Sequence, residues 1–231
     1  MSRIDITDVN QKVPIDQVRP YGDHLLVEMI DRRQTDSGII IPAGERSASR
    51  FAKVLAVGSG YENPATFEVY PLDYKPGDIV ILMDYAGMRL YVDGEKYRLI
   101  REHGIWAKAE MDLSRPSKPL LGVHPVTDHI LMTFPKEERS LSGILELPGN
   151  TQTICRVGNI VKSGAGKRNL RTGFVHPNCV EGGERVVAMR FSGANVWIGK
   201  QEFRLCNDID IKAIIEGDGK VDVVADRKSV V

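Results

Sequence analysis

Apolar residues along this chain come in runs of about five, at residues 25–29, 53–57, 79–83, 88–92, 96–100 and 105–109, rich in Val, Ile and Tyr and divided by Gly, Pro and Asp. Several runs alternate, as Met88-Arg89-Leu90-Tyr91-Val92 does. Alternation of this kind puts one set of side chains on each face of a strand. No segment sustains the apolar spacing of three and four over the eleven or more residues that a helix shows. The pattern predicts an all-β fold of short strands with glycine-marked turns, closed into a small barrel that leaves few strand edges open.

The same pattern is written twice, at an offset of 105 or 106 residues. Asp23-His24 recurs as Asp128-His129, Ser37-Gly38-Ile39 as Ser142-Gly143-Ile144, Gly77-Asp78 as Gly183-Glu184, and Tyr97-Arg98-Leu99 as Phe203-Arg204-Leu205. Matches arising by chance scatter over many offsets, so this constancy marks a tandem of two homologous domains. About a hundred residues suffice to bury a core, so each copy is expected to fold by itself. The expected layout is an N-terminal extension at 1–17, a first domain at 18–112, a linker at 113–120, a diverged second domain at 121–217 and a C-terminal tail at 218–231. Pro116 and Pro119 favour an extended connector within the linker.

Two long interruptions break the rhythm of the first copy. One, at 31–50, surrounds the apolar island Ile39-Ile40-Ile41 with charged and small residues, Gly38 before it and Pro42 after it. Three successive isoleucines in a strand cannot all face one core, because neighbours point to opposite sides. The island is therefore either a strand buried on both faces or a sticky peptide on a polar tether. The other interruption, at 58–76, contains Tyr61, Glu62, Asn63 and Phe67 in a segment that predicts a hairpin standing off the barrel. Connections this long in a compact domain are usually functional or disordered.

Composition narrows the partners. The 231 residues hold 31 basic and 31 acidic side chains, leaving no net charge to attract a phosphate backbone, so no nucleic acid is expected. No apolar run approaches the roughly 20 residues that span a bilayer, and the acidic start of the chain is unlike a transit peptide, so a cytoplasmic protein is expected. Cys155, Cys179 and Cys206 are odd in number with no close pair, which favours buried, reduced thiols over disulfides or a zinc site.

Candidate catalytic and ligand chemistry is thin. Gly164-Ala165-Gly166-Lys167 lacks the earlier glycine and the following Ser or Thr of a phosphate-binding loop. His24 and His129 hold equivalent places, yet no Cys, His or carboxylate cluster accompanies either at ligand spacing, and a hydrogen-bonded histidine at a strand start is the simpler reading. There is no nucleophile elbow, and no Gly-x-Gly-x-x-Gly opening a crossover helix. No catalytic residue, metal or cofactor is expected. Trp106 and Trp197, both on apolar strand patterns, are expected in the core or at a subunit interface.

Val18-Arg19-Pro20-Tyr21-Gly22-Asp23-His24, Ser37-Gly38-Ile39-Ile40-Ile41-Pro42, Val54-Leu55-Ala56-Val57-Gly58, Tyr74-Lys75-Pro76-Gly77-Asp78 and Ile105-Trp106-Ala107 stand in the order and spacing of the GroES-like co-chaperonins, which the first copy resembles closely. The second resembles them mainly through the internal repeat. The resemblance implies barrels that assemble into a ring and cap a GroEL-like chaperonin in its ATP-bound state, enclosing an unfolded client protein. It makes Gly38, Ile39, Ile40, Ile41 and Pro42 the chaperonin-binding segment of a mobile loop, and Tyr61, Glu62, Asn63 and Phe67 part of a roof hairpin. Single-domain relatives imply a homo-oligomer of seven chains. A bacterial or bacteriophage source suits this amino terminus better than a plastid one, and for a phage the capsid protein is the natural client. The alternative is an assembly protein that keeps the barrel and has lost chaperonin docking.

The second loop departs from the first. It reads Gly143-Ile144-Leu145-Glu146-Leu147-Pro148, with a carboxylate at the third anchor position, where burial in an apolar groove is costly. Either Gly143, Ile144, Leu145 and Leu147 bind after a one-residue shift, or this loop does not dock.

Overall fold

The computed structural model of the protein describes residues 15–30, 50–84, 86–92, 95–113, 120–134, 155–169, 171–189, 192–199 and 201–217. The two loops that carry the expected chaperonin-binding residues lie outside them. Strands appear where the short apolar runs predict them: β1 at His24–Met29, β2 at Phe51–Val57, β3 at Tyr61–Glu62, β4 at Val69–Tyr70, β5 at Ile79–Leu82, β6 at Met88–Val92, β7 at Glu95–Arg101 and β8 at Ile105–Glu110. The second copy supplies β9 at Gly122–Pro125, β10 at His129–Thr133, β11 at Cys155–Ser163, β12 at Lys167–Arg168, β13 at Val175–His176, β14 at Arg185–Met189, β15 at Ala194–Ile198, β16 at Gln201–Asn207 and β17 at Ile211–Ile214. The helical elements among the described residues are three single turns of 3-10 helix.

Chain contacts divide the protein between Ile105 and Trp106 into two compact units. In the first, the strands run β6-β7-β1-β2-β5 across the sheet, and in the second β15-β16-β10-β11-β14, the same order in the second copy's elements, with β17 beyond β14. Both are antiparallel, with Leu25 opposite Ile100 and Val57 in the first and Ile130 opposite Cys206 and Ser163 in the second. The repeat extends to irregularities. The register of β1 on β2 shifts between Leu26 and Val27, and that of β10 on β11 between Leu131 and Met132, 105 residues later. A bulge at a fixed place increases local twist and helps a short sheet curl into a barrel.

Each unit buries its own apolar face. Leu25, Val27, Val54, Ile81 and Ile100 are fully buried in the first, where all four residues of β5 are covered. Ile130, Met132, Ile160, Val186, Ala188 and Cys206 cluster in the second, with Val180 completing them. The Cys206 sulfur lies 3.6 Å from that of Met132, and burial, reinforced by the charge of Asp210, pushes its thiol up to about 12. It behaves as a small apolar residue. Cys179, expected to be buried, is exposed, because it is the neighbouring Val180 that turns into the core.

The paired histidines are hydrogen-bonded at strand starts as expected, but in different surroundings. Nδ1 of His24 contacts the Tyr21 carbonyl at 2.9 Å, with its side chain 41% exposed. His129 makes the equivalent contact with Val126, also at 2.9 Å, yet is 1% exposed and packs edge-on against Trp106 with ring centroids 4.7 Å apart. Its Nε2 is buried and has no hydrogen-bond partner among the described residues. Burial holds the His129 pKa below the usual 6.5, only partly offset by the Val126 hydrogen bond and the Asp128 charge. Between the lowered folded value and 6.5 the unfolded state binds more protons, so stability falls as pH falls through that window. Urea titrations should show the second unit losing up to about 1.4 kcal/mol per pH unit below 6.5. His129→Gln should flatten that slope, and an unchanged slope would exclude His129 as its source.

Candidate functional site: loop neck and hairpin

The first site is built where β1 and β2 end. The Ile30 amide donates to the Phe51 carbonyl at 2.9 Å, one step beyond the Met29–Ala52 pair, so the segment 31–49 leaves and rejoins the barrel at adjacent points. Arg50 clamps the return. Its carbonyl accepts from the Leu82 amide at 2.7 Å, while its Nε and Nη2 donate to the two carboxylate oxygens of Asp84 at 2.8 and 2.7 Å. A bidentate pair fixes direction better than a single contact. Since Asp84 is half exposed, the pair stabilises by no more than about 1 kcal/mol. Gly38, Ile39, Ile40, Ile41 and Pro42 belong to the segment this neck delimits, outside the described residues.

The second neck is built differently. Its last described pair on this side is Thr133 with Asn159, and the Phe134 ring then takes the guanidinium groups of Arg156 and Arg204 at 4.8 and 5.4 Å from its centroid. Cation–π contacts of this kind anchor a chain without a directional hydrogen bond. Gly143, Ile144, Leu145 and Leu147 again lie outside the described residues.

The predicted hairpin is present. Tyr61 pairs with Tyr70 and Glu62 with Val69, and Asn63 organises the tip. The Asn63 side chain accepts from the Ala65 amide at 2.9 Å, its carbonyl accepts from the Phe67 amide at 2.8 Å, and its own amide donates to the Glu68 carbonyl at 2.8 Å. At 1% exposure Asn63 is a structural staple, whereas Phe67 is 74% exposed. The second copy repeats this tip through Asn169, whose side-chain oxygen accepts from Arg171 and whose backbone pairs with Gly173 and Phe174.

At the place of Gly173 the first copy has Phe67, in the same left-handed backbone conformation, with φ of 59° against 72°. A side chain there costs about 1 to 2 kcal/mol that glycine avoids. An exposed ring held in a strained backbone points to a role for the ring itself. The hairpins also differ in charge, with Glu62 and Glu68 in the first and Lys167, Arg168 and Arg171 in the second. Sequence reasoning placed the hairpin but missed the Asn63 and Asn169 staples, although the 106-residue offset aligns the two asparagines.

The tryptophans separate. Trp106 is buried against His129, while Trp197 is 56% exposed, on the outward face of edge strand β15. Core placement is thus corrected for Trp197. Among the described residues no group of three or more His, Cys, Asp or Glu side chains is placed to hold a metal ion, and no helix is long and apolar enough to cross a membrane.

Comparison with known proteins matches the family of the chaperonin 10 kDa subunit twice, at residues 17–109 and 122–215. The co-chaperonin GroES of Coprothermobacter proteolyticus is 39% identical over 92 residues, 39% of this chain and 93% of that protein. The GroES of Exiguobacterium sibiricum is 36% identical over 93 residues, 40% of this chain and 98% of that protein. The chloroplastic 20 kDa chaperonin of Spinacia oleracea is 29% identical over 150 residues, 64% of this chain and 56% of that protein. That alignment runs beyond one repeat, and the two-domain arrangement matches the plant protein.

Proposed function

Because the chain belongs to the chaperonin 10 kDa subunit family, through both of its repeats, we propose that it caps a GroEL-like chaperonin by docking Ile39, Ile40 and Ile41 into apolar grooves and helps enclose an unfolded client. The observation that carries this reading is the neck. The barrel brings both ends of the isoleucine-bearing segment together at one hydrogen-bonded point, Ile30 to Phe51.

Energetics fit a reversible cap. Burying three isoleucines contributes roughly 5 to 9 kcal/mol, and ordering ten or more loop residues costs about 1 to 2 each. One loop is therefore a weak ligand. A homo-oligomeric ring presents several loops, and once one is bound the others bind intramolecularly. Weak individual contacts then permit release when the chaperonin's nucleotide state changes its grooves.

In this reading Gly38 and Pro42 shape the loop's turn, and Phe67 at the hairpin tip contributes to the roof. The second loop, with Glu146 among its apolar residues, serves a different task from docking. The site of action is the cytoplasm. Size-exclusion chromatography of the intact particle with a seven-fold chaperonin tests the proposal: co-elution in ATP and separation without nucleotide are expected, and separation in both conditions overturns it.

A further inference from the structure

The two hairpins, β3–β4 and β12–β13, share a frame and differ in chemistry. In both, an asparagine staples the tip. In both, a glycine precedes the first strand where a Cβ would run into the carbonyl oxygen opposite, that of Tyr70 for Gly60 and that of His176 for Gly166. The face carried on this frame is rebuilt. Lys167 pairs with His176 where Tyr61 pairs with Tyr70, Phe174 takes the place of Glu68, and Arg171 that of Ala65.

Residues directly opposite in an antiparallel pair share a face, as do residues two apart along one strand. Lys167, His176 and Phe174 are therefore together, and all three are exposed, the Lys167 side chain by 78% and Phe174 by 59%. The Phe174 ring meets that of His176 edge-on, with centroids 4.9 Å apart, and Arg171 is exposed at the turn. In the first hairpin the Glu68 carboxylate accepts from the hydroxyls of Thr66 and Tyr70, at 3.3 and 3.2 Å. A carboxylate face in one copy is thus a cationic face with an aromatic ring in the other.

The inversion is part of a wider bias. Between Glu146 and Glu181 the sequence has no Asp or Glu and holds Arg156, Lys162, Lys167, Arg168 and Arg171. Three of these cations serve the fold: Arg156 lies over the Phe134 ring, Lys162 Nζ is 3.4 Å from His124 Nδ1, and Arg168 donates to the Gly173 carbonyl at 3.0 Å. Lys167 reaches a carboxylate of its own unit, Asp128, only at 3.8 Å. We propose that this face of the second hairpin binds a short acidic peptide segment of another protein, whose carboxylates meet Lys167 and Arg171 and whose apolar side chain covers Phe174.

A peptide fits the face better than nucleic acid does. Binding a phosphate backbone draws on about six to ten phosphate contacts, more than one small hairpin supplies in a chain of zero net charge. A few carboxylates flanking one apolar residue match the face group for group. Exposed ion pairs are individually weak and are screened by salt, so one hairpin binds loosely and the contact loosens as salt rises. The proposal goes beyond chaperonin docking and is tested without a chaperonin, so a failure of one leaves the other untouched.

Fluorescence anisotropy of the full chain with a labelled synthetic peptide, in which Glu and Asp flank a single Leu, is the measurement. Binding at low salt is expected, with Lys167→Glu and Arg171→Glu each weakening it by about tenfold or more and Glu62→Lys leaving it unchanged. Phe174→Ser should weaken this peptide but not one carrying Ser in place of the Leu. Lys167→Arg keeps the charge and should keep binding, which separates lost charge from a damaged hairpin. Absence of binding, or binding indifferent to both charge reversals, overturns the proposal. So does a labelled uridine homopolymer that binds the same face more tightly than the peptide, since the ligand would then be nucleic acid.

Discussion

Ile40→Asp is expected to abolish capture by an ATP-bound chaperonin while leaving the particle's mass and far-UV spectrum unchanged. Each loop loses the roughly 1.5 to 3 kcal/mol that a buried isoleucine contributes, and a carboxylate placed in an apolar groove adds a further penalty of about 1 to 3 kcal/mol. Since about 1.4 kcal/mol is a tenfold change in affinity, one loop weakens by roughly a hundredfold or more. Several loops acting together multiply the loss, so co-sedimentation should fall to background. The corresponding change in the second loop, Leu145→Asp, should leave capture intact. Undiminished capture by the Ile40 variant would return the protein to the alternative class, a barrel used for assembly alone.

The second large effect is on stability. Leu26 and Leu131 are equivalent residues, each 1% exposed in the middle of its sheet. Truncating either to alanine should cost about 2 to 5 kcal/mol, from lost transfer energy and the cavity left behind. That is a large share of a typical domain's stability of about 5 to 15 kcal/mol. Each unit has its own core, so urea unfolding should show two transitions, Leu26→Ala moving one midpoint and Leu131→Ala the other. A single transition shifted equally by both would show that the chain unfolds as one body.

Much of this fold is legible in the sequence because two signals agree. Alternation in Met88-Arg89-Leu90-Tyr91-Val92 marks a strand, and the offset repeats that strand as β15. Family membership is legible through motifs held in order in the first copy, and in the second through the repeat that relates it to the first. What resisted reading is local. In Ala194-Asn195-Val196-Trp197, apolar Val196 and Trp197 are adjacent, so the pattern alone cannot say which faces inward; the structure turns Val196 in and leaves Trp197 out. Cys179 precedes the core residue Val180 in the same way. Hairpin strands of two residues are too short for any period, and the left-handed conformation of Phe67 is invisible until its partner Gly173 is set beside it. The isoleucine segment is a proposal from motif and neck, since its own residues lie outside those described.

A neck that closes on itself makes the first unit a holder for interchangeable inserts. Its last rung, Ile30 to Phe51, and the Arg50–Asp84 clamp are made by the holder and not by what it holds. Doubling the length of an insert adds only about 0.6 kcal/mol of closure cost. Foreign recognition peptides of many lengths should therefore be graftable between Ile30 and Arg50, converting the barrel into a multivalent display scaffold whose target is set by the graft.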